Sequence, residues 1–273
     1  MKSHSRKNIS KNLCRKVLNA SSLPSFLRKK AGVVMAKQVK EKEPLTFEYE
    51  KTSFPNARVV CGTDEAGRGP LAGPVYAAAV ILDTENTDPE LLQKLDDSKK
   101  LSEKKRDELE LLVKKHALSY CVAYSTVEEI EETDILSASL HAMRKAIDGL
   151  FIDRVSSKEI LEKLDIAEIG GQEIKPDAVI VDGNQSRDFQ LPAKAVIGGD
   201  GKSFSIAAAS ILAKVARDRY CYEVLDTTYP EYAFAKHKGY GTKAHYEAVD
   251  KHGLCPQHRK SFFRKYYDAK AKQ

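Results

Sequence analysis

The chain has 273 residues, 42% hydrophobic and 31% charged. That is a globular balance with enough apolar material for a core. No apolar run approaches the roughly 20 residues of a membrane helix, so a spanning protein is excluded, and 15 Gly with 10 Pro exclude a collagenous chain. The net charge of +6 divides unevenly: residues 1–40 carry eleven Lys or Arg and no Asp or Glu, 236–273 carry +7, and 41–235 carry −12. An acidic body suited to cations thus lies between basic ends suited to phosphate.

Residues 1–54 read as a basic, disordered N-terminal extension, and 55–273 as the folded domain. The first forty residues contain no h-region, which excludes a secretory signal. A disordered arm, a start upstream of Met35 and an organelle transit peptide all share this composition. Residues 58–64 and 75–82 predict two buried strands joined by the Gly- and Pro-rich stretch 65–74, an antiparallel start. Residues 101–116 predict a helix with Leu109, Leu112 and Val113 on one face and Ser102 as cap, and 120–124 a third strand. Ile135, Leu136, Leu140, Met143, Ile147 and Leu150 recur at helical spacing behind Thr133 or Asp134. The stretch 153–177 has no period and receives no element. Ala178-Val-Ile-Val-Asp182 predicts a buried strand stopped by Gly183, and 195–197 a short one. Helices follow over 203–226 and from 242 to 251, the latter closed by Gly253. The fold class is therefore α/β: a mixed sheet of about five strands, flanked by helices, with a helical C-terminal part.

The cysteines Cys14, Cys61, Cys121, Cys221 and Cys255 are odd in number and widely spaced, which reads as free thiols in a reducing, cytoplasmic compartment. Asp64 and Glu65 end one strand, and Asp182 ends another. Strand neighbours face opposite ways, so a bend at Asp64-Glu65, permitted by Gly67, Gly69 and Gly73, is expected if both are to reach one cation. Asp218 lies within the long predicted helix and Asp200 in the 198–202 loop. Carboxylates of this kind suit hard cations such as Mg²⁺, and two such ions suit phosphodiester hydrolysis. Gly199-Asp-Gly-Lys-Ser203 matches the tail of a phosphate-binding loop, but Val196 stands where its first glycine belongs. A nucleotide triphosphatase is set aside, and Lys202 with the loop N–H groups is kept as a phosphate contact. The late histidines His237, His245, His252 and His258 lie amid lysines, as solvated surface or a phosphate-contacting face. Tyr240 is available for stacking, while Phe262, Phe263, Tyr266 and Tyr267 are expected to pack.

The run Asp64-Glu-Ala-Gly-Arg-Gly-Pro-Leu-Ala-Gly-Pro-Val75 resembles the type 2 ribonuclease H family, bacterial ribonuclease HII. The resemblance continues through Asp97-Ser-Lys-Lys-Leu-Ser102, Val181-Asp-Gly-Asn184, the segment 207–218, His237-Lys-Gly-Tyr-Gly-Thr242 and His258-Arg-Lys-Ser-Phe262, in order over about 58–265. It implies a ribonuclease H-like fold and an endonuclease acting on RNA/DNA hybrids and on DNA containing single ribonucleotides. The implied cut lies 5′ of the ribonucleotide, leaving 3′-hydroxyl and 5′-phosphate. It implies metal-site carboxylates at Asp64, Glu65, Asp182 and Asp218, holding two Mn²⁺ or Mg²⁺ ions with substrate bound. It also implies that Gly67, Arg68 and Gly69 read the ribose 2′-hydroxyl through backbone, and that Tyr240 packs against the neighbouring sugar. A monomer without membrane association is expected.

Overall fold

The computed structural model describes residues 44–96 and 101–271. The N-terminal arm up to residue 43, Cys14, and Asp97 to Lys100 of the resemblance lie outside the described residues. A compact unit runs from Glu43 to Gln273.

Its centre is a six-stranded sheet. The strands are β1 (Val60–Ala66), β2 (Val75–Ile81), β3 (Ser119–Ser125), β4 (Ile166–Gly171), β5 (Ala178–Asp182) and β6 (Ala193–Val196), in the order β4-β3-β2-β1-β5-β6. β1 pairs antiparallel with β2, as the Gly- and Pro-rich turn predicts, and parallel with β5. The sheet is therefore mixed, with helices on both faces. The sixth strand is β4, an edge strand inside the stretch that shows no period, preceded by the short helix Lys158–Lys163. Only Ile166 of β4 is buried, so hydrophobic alternation leaves little trace there.

β2 is buried along its whole length and shows how the two layers form. Tyr76, Ala78 and Val80 face the helices Glu103–His116 (α1) and Phe204–Tyr220 (α2). Val75, Ala77, Ala79 and Ile81 face the helix Ile135–Gly149 (α3), led by Leu140, Met143 and Ile147. Each fully buried Leu, Ile or Met contributes roughly 1.5–3 kcal/mol. α3 is capped by Asp134, whose carboxylate accepts from Leu136 N and Ser137 N. Ser102 precedes α1 but makes no side-chain cap.

α2 is the central helix. Its cap, Ser203, accepts from Ile206 N at 3.1 Å and donates to buried Glu50 at 2.7 Å. Residues 44–54, counted from sequence with the extension, thus pack on the domain: Leu45 is buried in the core and Glu50 holds the start of α2. The longer helix expected over 203–226 stays α-helical only to Tyr220, then widens into a π turn over Cys221–Leu225. A third apolar cluster, with Leu71, Phe234, Val249 and Phe263, ties the C-terminal helices to the turn after β1.

Candidate active site

Two backbone facts assemble the carboxylates. The parallel register places Thr63 beside Val181, so the next residues lie side by side, Asp64 within β1 and Asp182 at the end of β5. α2 then crosses β1 at Gly62, where a Cβ would stand 2.5 Å from Ile206 N and from the Ser205 carbonyl carbon. Only glycine permits this approach, which brings Ser210 near enough to the Asp64 carboxylate to favour its ionised form. The bend expected at Asp64-Glu65 is not there: β1 keeps its ladder with β2 through Ala66, and the chain turns afterwards at Gly67, φ +106°. Pairing with β2 holds the strand straight at the acidic residues.

The electrostatics tie the acids together. Asp64 is 5% exposed, and burial first, then Glu65 and Asp182, raise its carboxyl well above the usual range. Burial and Asp182 raise Glu65, against the Arg68 guanidinium 3.1 Å from its Oε1. Burial and then Asp200 raise Asp182, whose Oδ1 accepts from Gly199 N at 2.6 Å. The acids that act on one another are thus Asp64, Glu65, Asp182 and Asp200.

Asp218 has other partners. It is 4% exposed near the end of α2, with Lys214 Nζ at 2.6 Å and Arg106 Nη2 at 3.8 Å. Asp200 was legible from sequence only as a loop residue. What brings it to Asp182 is the β5–β6 register and the 3-10 turn Gly199–Gly201, neither of which the residue pattern announces.

The same loop corrects the phosphate-contact expectation for its N–H groups. Gly199 N donates to Asp182, Gly201 N to Gly198 O, and Lys202 N and Ser203 N to Gly199 O. These N–H groups already have acceptors within the loop and its neighbour, and Lys202 O accepts from Thr46 N at 3.0 Å. The Lys202 side chain is half-buried beside them.

The turn and the tyrosine do come together. Tyr240 is 45% exposed, and a Cβ on Gly69 would stand 3.5 Å from its ring. Three of the late histidines are not a solvated face: His237, His245 and His258 are buried, with His245 Nε2 3.0 Å from His258 Nε2, whereas His252 is exposed as expected. Phe263 is buried, and Phe262 and Tyr266 pack against its cluster, as expected, whereas Tyr267 is exposed. Cys61, Cys121, Cys221 and Cys255 are free and buried.

An all-oxygen, anionic donor set is what a hard divalent cation takes, and a cation would relieve the repulsion that raises these carboxyls. Among the described residues no three His, Cys, Asp or Glu side chains yet stand around one point at ligand spacing. The acids fit such an ion in the chemistry of their donor oxygens.

Comparison with known proteins shows the family. Residues 61–267 match the family model described as Ribonuclease HII. The chain is 49% identical over 204 residues to ribonuclease HII of Idiomarina loihiensis, covering 75% of this chain and 95% of that protein. It is 48% identical over 206 residues to ribonuclease HII of Albidiferax ferrireducens, covering 76% and 86%. The solved ribonuclease H2 of Pyrococcus horikoshii superimposes with TM-score 0.52 at 26% identity, over 74% of this chain and 93% of that one. The fold, the acidic strand ends and these relatives together establish that the chain belongs to the ribonuclease HII family.

Proposed function

We propose that the protein hydrolyses the RNA strand of RNA/DNA hybrids and cuts duplex DNA 5′ of an embedded ribonucleotide, leaving 3′-hydroxyl and 5′-phosphate ends. The coarser statement follows from the family: the chain is a ribonuclease H, an endonuclease and phosphodiester hydrolase. The observation that carries the finer reading is the group of Asp64, Glu65, Asp182 and Asp200 beside a glycine turn and an exposed tyrosine.

Asp64, Glu65 and Asp182 would hold the metal, with Asp200 favoured over Asp218 as fourth donor, because Asp200 is the acid whose charge acts on Asp182. Two Mg²⁺ or Mn²⁺ ions would supply activation of the attacking water and stabilisation of the leaving oxygen. The chain's own groups do the rest. The Glu65 N–H orients the Asp64 carboxylate, and Gly199 N orients that of Asp182. The glycines of turn 67–69 let backbone approach a sugar without Cβ contact, and the 2′-hydroxyl is the group that separates RNA from DNA. Tyr240 offers a ring face to the next sugar, and Lys202 a charge to phosphate. The buried free thiols suit a reducing cytoplasm, and we take the enzyme to act as a monomer.

The test is digestion of a duplex carrying one ribonucleotide, read at nucleotide resolution, with Mg²⁺ or EDTA. One cut 5′ of the ribonucleotide is expected, lost in EDTA and reduced at least about 100-fold in Asp182→Asn. Wild-type activity in Asp182→Asn would overturn the scheme. Binding without turnover would make the protein a hybrid-binding module, and cleavage of an all-DNA duplex would make it a different nuclease.

A further inference from the structure

The turn after β1 has no regular structure, yet one side chain takes most of its carbonyls. Arg259 comes from the far end of the chain and is 0% exposed. Its Nη2 donates to Gly67 O at 2.7 Å, its Nη1 to Arg68 O at 3.2 Å and Pro70 O at 2.9 Å, and its Nε to Gly73 O at 2.9 Å. The backbone repeats the tie: Arg259 N donates to Leu71 O, and Gly73 N to Gln257 O, both at 2.8 Å.

Arg217 lies beneath the same turn and is 1% exposed. Its Nη2 donates to Ala72 O at 3.3 Å and Lys238 O at 3.1 Å, while its Nε and Nη1 are buried without a partner. A Cβ on Gly67 would overlap this side chain, and its Cζ sits 5.9 Å from the Tyr240 ring centroid. The hydrogen-bond acceptors of both guanidinium groups are carbonyls.

Two adjacent buried cations held by carbonyls are a costly way to staple a loop, since apolar packing would serve stability as well. What a planar fork of five donors does better is fix several carbonyls in one geometry. With those carbonyls turned inward, the outer face of the turn keeps one shape. The charge beneath makes that face electropositive where a phosphodiester would lie.

We propose that Arg259, backed by Arg217, is the positioning group for sugar selection: it holds turn 67–73 in the conformation that admits a ribose, and so sets the preference for a ribonucleotide over a deoxyribonucleotide. This rests on the reading of the turn given under Proposed function. Neither arginine touches the substrate; both act through the turn.

The experiment uses the full chain, wild type and Arg259→Lys. It measures kcat and KM on a duplex with one ribonucleotide, and Ki for an all-DNA duplex of the same sequence as competitor. Lysine keeps the charge but cannot span four carbonyls. The ratio of Ki to KM should fall at least about tenfold through a rise in KM, with Ki held within about twofold; tenfold corresponds to about 1.4 kcal/mol. A loss of folded protein alone lowers kcat and leaves that ratio where it was. A ratio within about twofold of wild type in folded Arg259→Lys overturns the proposal. Should circular dichroism show Arg259→Lys unfolded, the same criterion applies to Arg217→Lys. A wild-type enzyme that does not favour the ribonucleotide duplex refutes the functional reading itself, before any variant is compared.

Discussion

Gly67→Ala isolates what the arginine floor demands of the turn. Gly67 has φ +106°, and Gly253, at the end of the helix Lys243–His252, has φ +81°. Alanine at either position meets backbone strain of about 1–3 kcal/mol. The two differ in space. Around a Cβ on Gly253 nothing lies within 4 Å, whereas one on Gly67 overlaps Arg217 Nε and Cδ. The guanidinium would have to retreat by about 1 Å to restore ordinary contact. Being fully buried, it cannot do so without loosening its bonds to Ala72 O and Lys238 O, worth about 1 kcal/mol each. Gly67→Ala should therefore be less stable than Gly253→Ala by about 2–3 kcal/mol, which is a urea midpoint lower by roughly 1 M. Parallel urea titrations followed by circular dichroism measure this. Midpoints within about 0.3 M of each other would refute the claim that Arg217 fills the space under the turn.

Asp182→Asn should make the metal-free protein more stable while abolishing cleavage. Burial and Asp200 raise the Asp182 carboxyl, so its ionised form opposes folding at neutral pH, and Asn Oδ1 can still accept from Gly199 N. The expected gain is about 1 kcal/mol in EDTA, seen as a higher melting temperature; a lower one contradicts the repulsion argument. Mg²⁺ should raise the melting temperature of wild type and do so much less in the variant. Asp200→Asn should cost at least about 100-fold in turnover, against less than about tenfold for Asp218→Asn, whose main effect should be lost stability from leaving Lys214 unpaired. Equal losses in the two would restore Asp218 to the metal site. Burial pushes His245 and His258 down to about 4 from an ordinary value near 6.5. The unfolded chain then binds more protons between these values, so their contribution is complete above pH 6.5 and is lost as pH falls towards 4, roughly 3 kcal/mol for each ring of the hydrogen-bonded pair. Urea midpoints across that range should fall less steeply in His258→Asn than in wild type, and identical slopes would count against the buried pair.

Much of this protein is determined by local residue pattern. The apolar runs of β1, β2, β3 and β5, the 3.6-residue spacing of α3 and the glycine-rich hairpin turn each state their structure within a dozen residues, because periodicity and turn chemistry act over that range. Asp64, Glu65 and Asp182 stand out for the same reason: an acid at the end of an apolar strand is visible in the strand itself. The edge strand β4 is not, since only Ile166 of it is buried and no apolar face has to be maintained along it.

Partnership is what tertiary structure alone decides. Asp200 and Asp218 look equivalent as isolated acids, and only the parallel register of β5 with β6 brings the first to Asp182 while a helical turn gives the second to Lys214. His245 and His258, surrounded by lysines in sequence, turn inward because Phe234, Tyr232 and Phe263 close over them. Arg259 reads as one more basic residue near the C-terminus until the fold carries it across 192 positions to Gly67 O. A charge shows its sign in the sequence, but its role depends on which backbone groups and ions surround it, and those neighbours are supplied by segments far away in the chain.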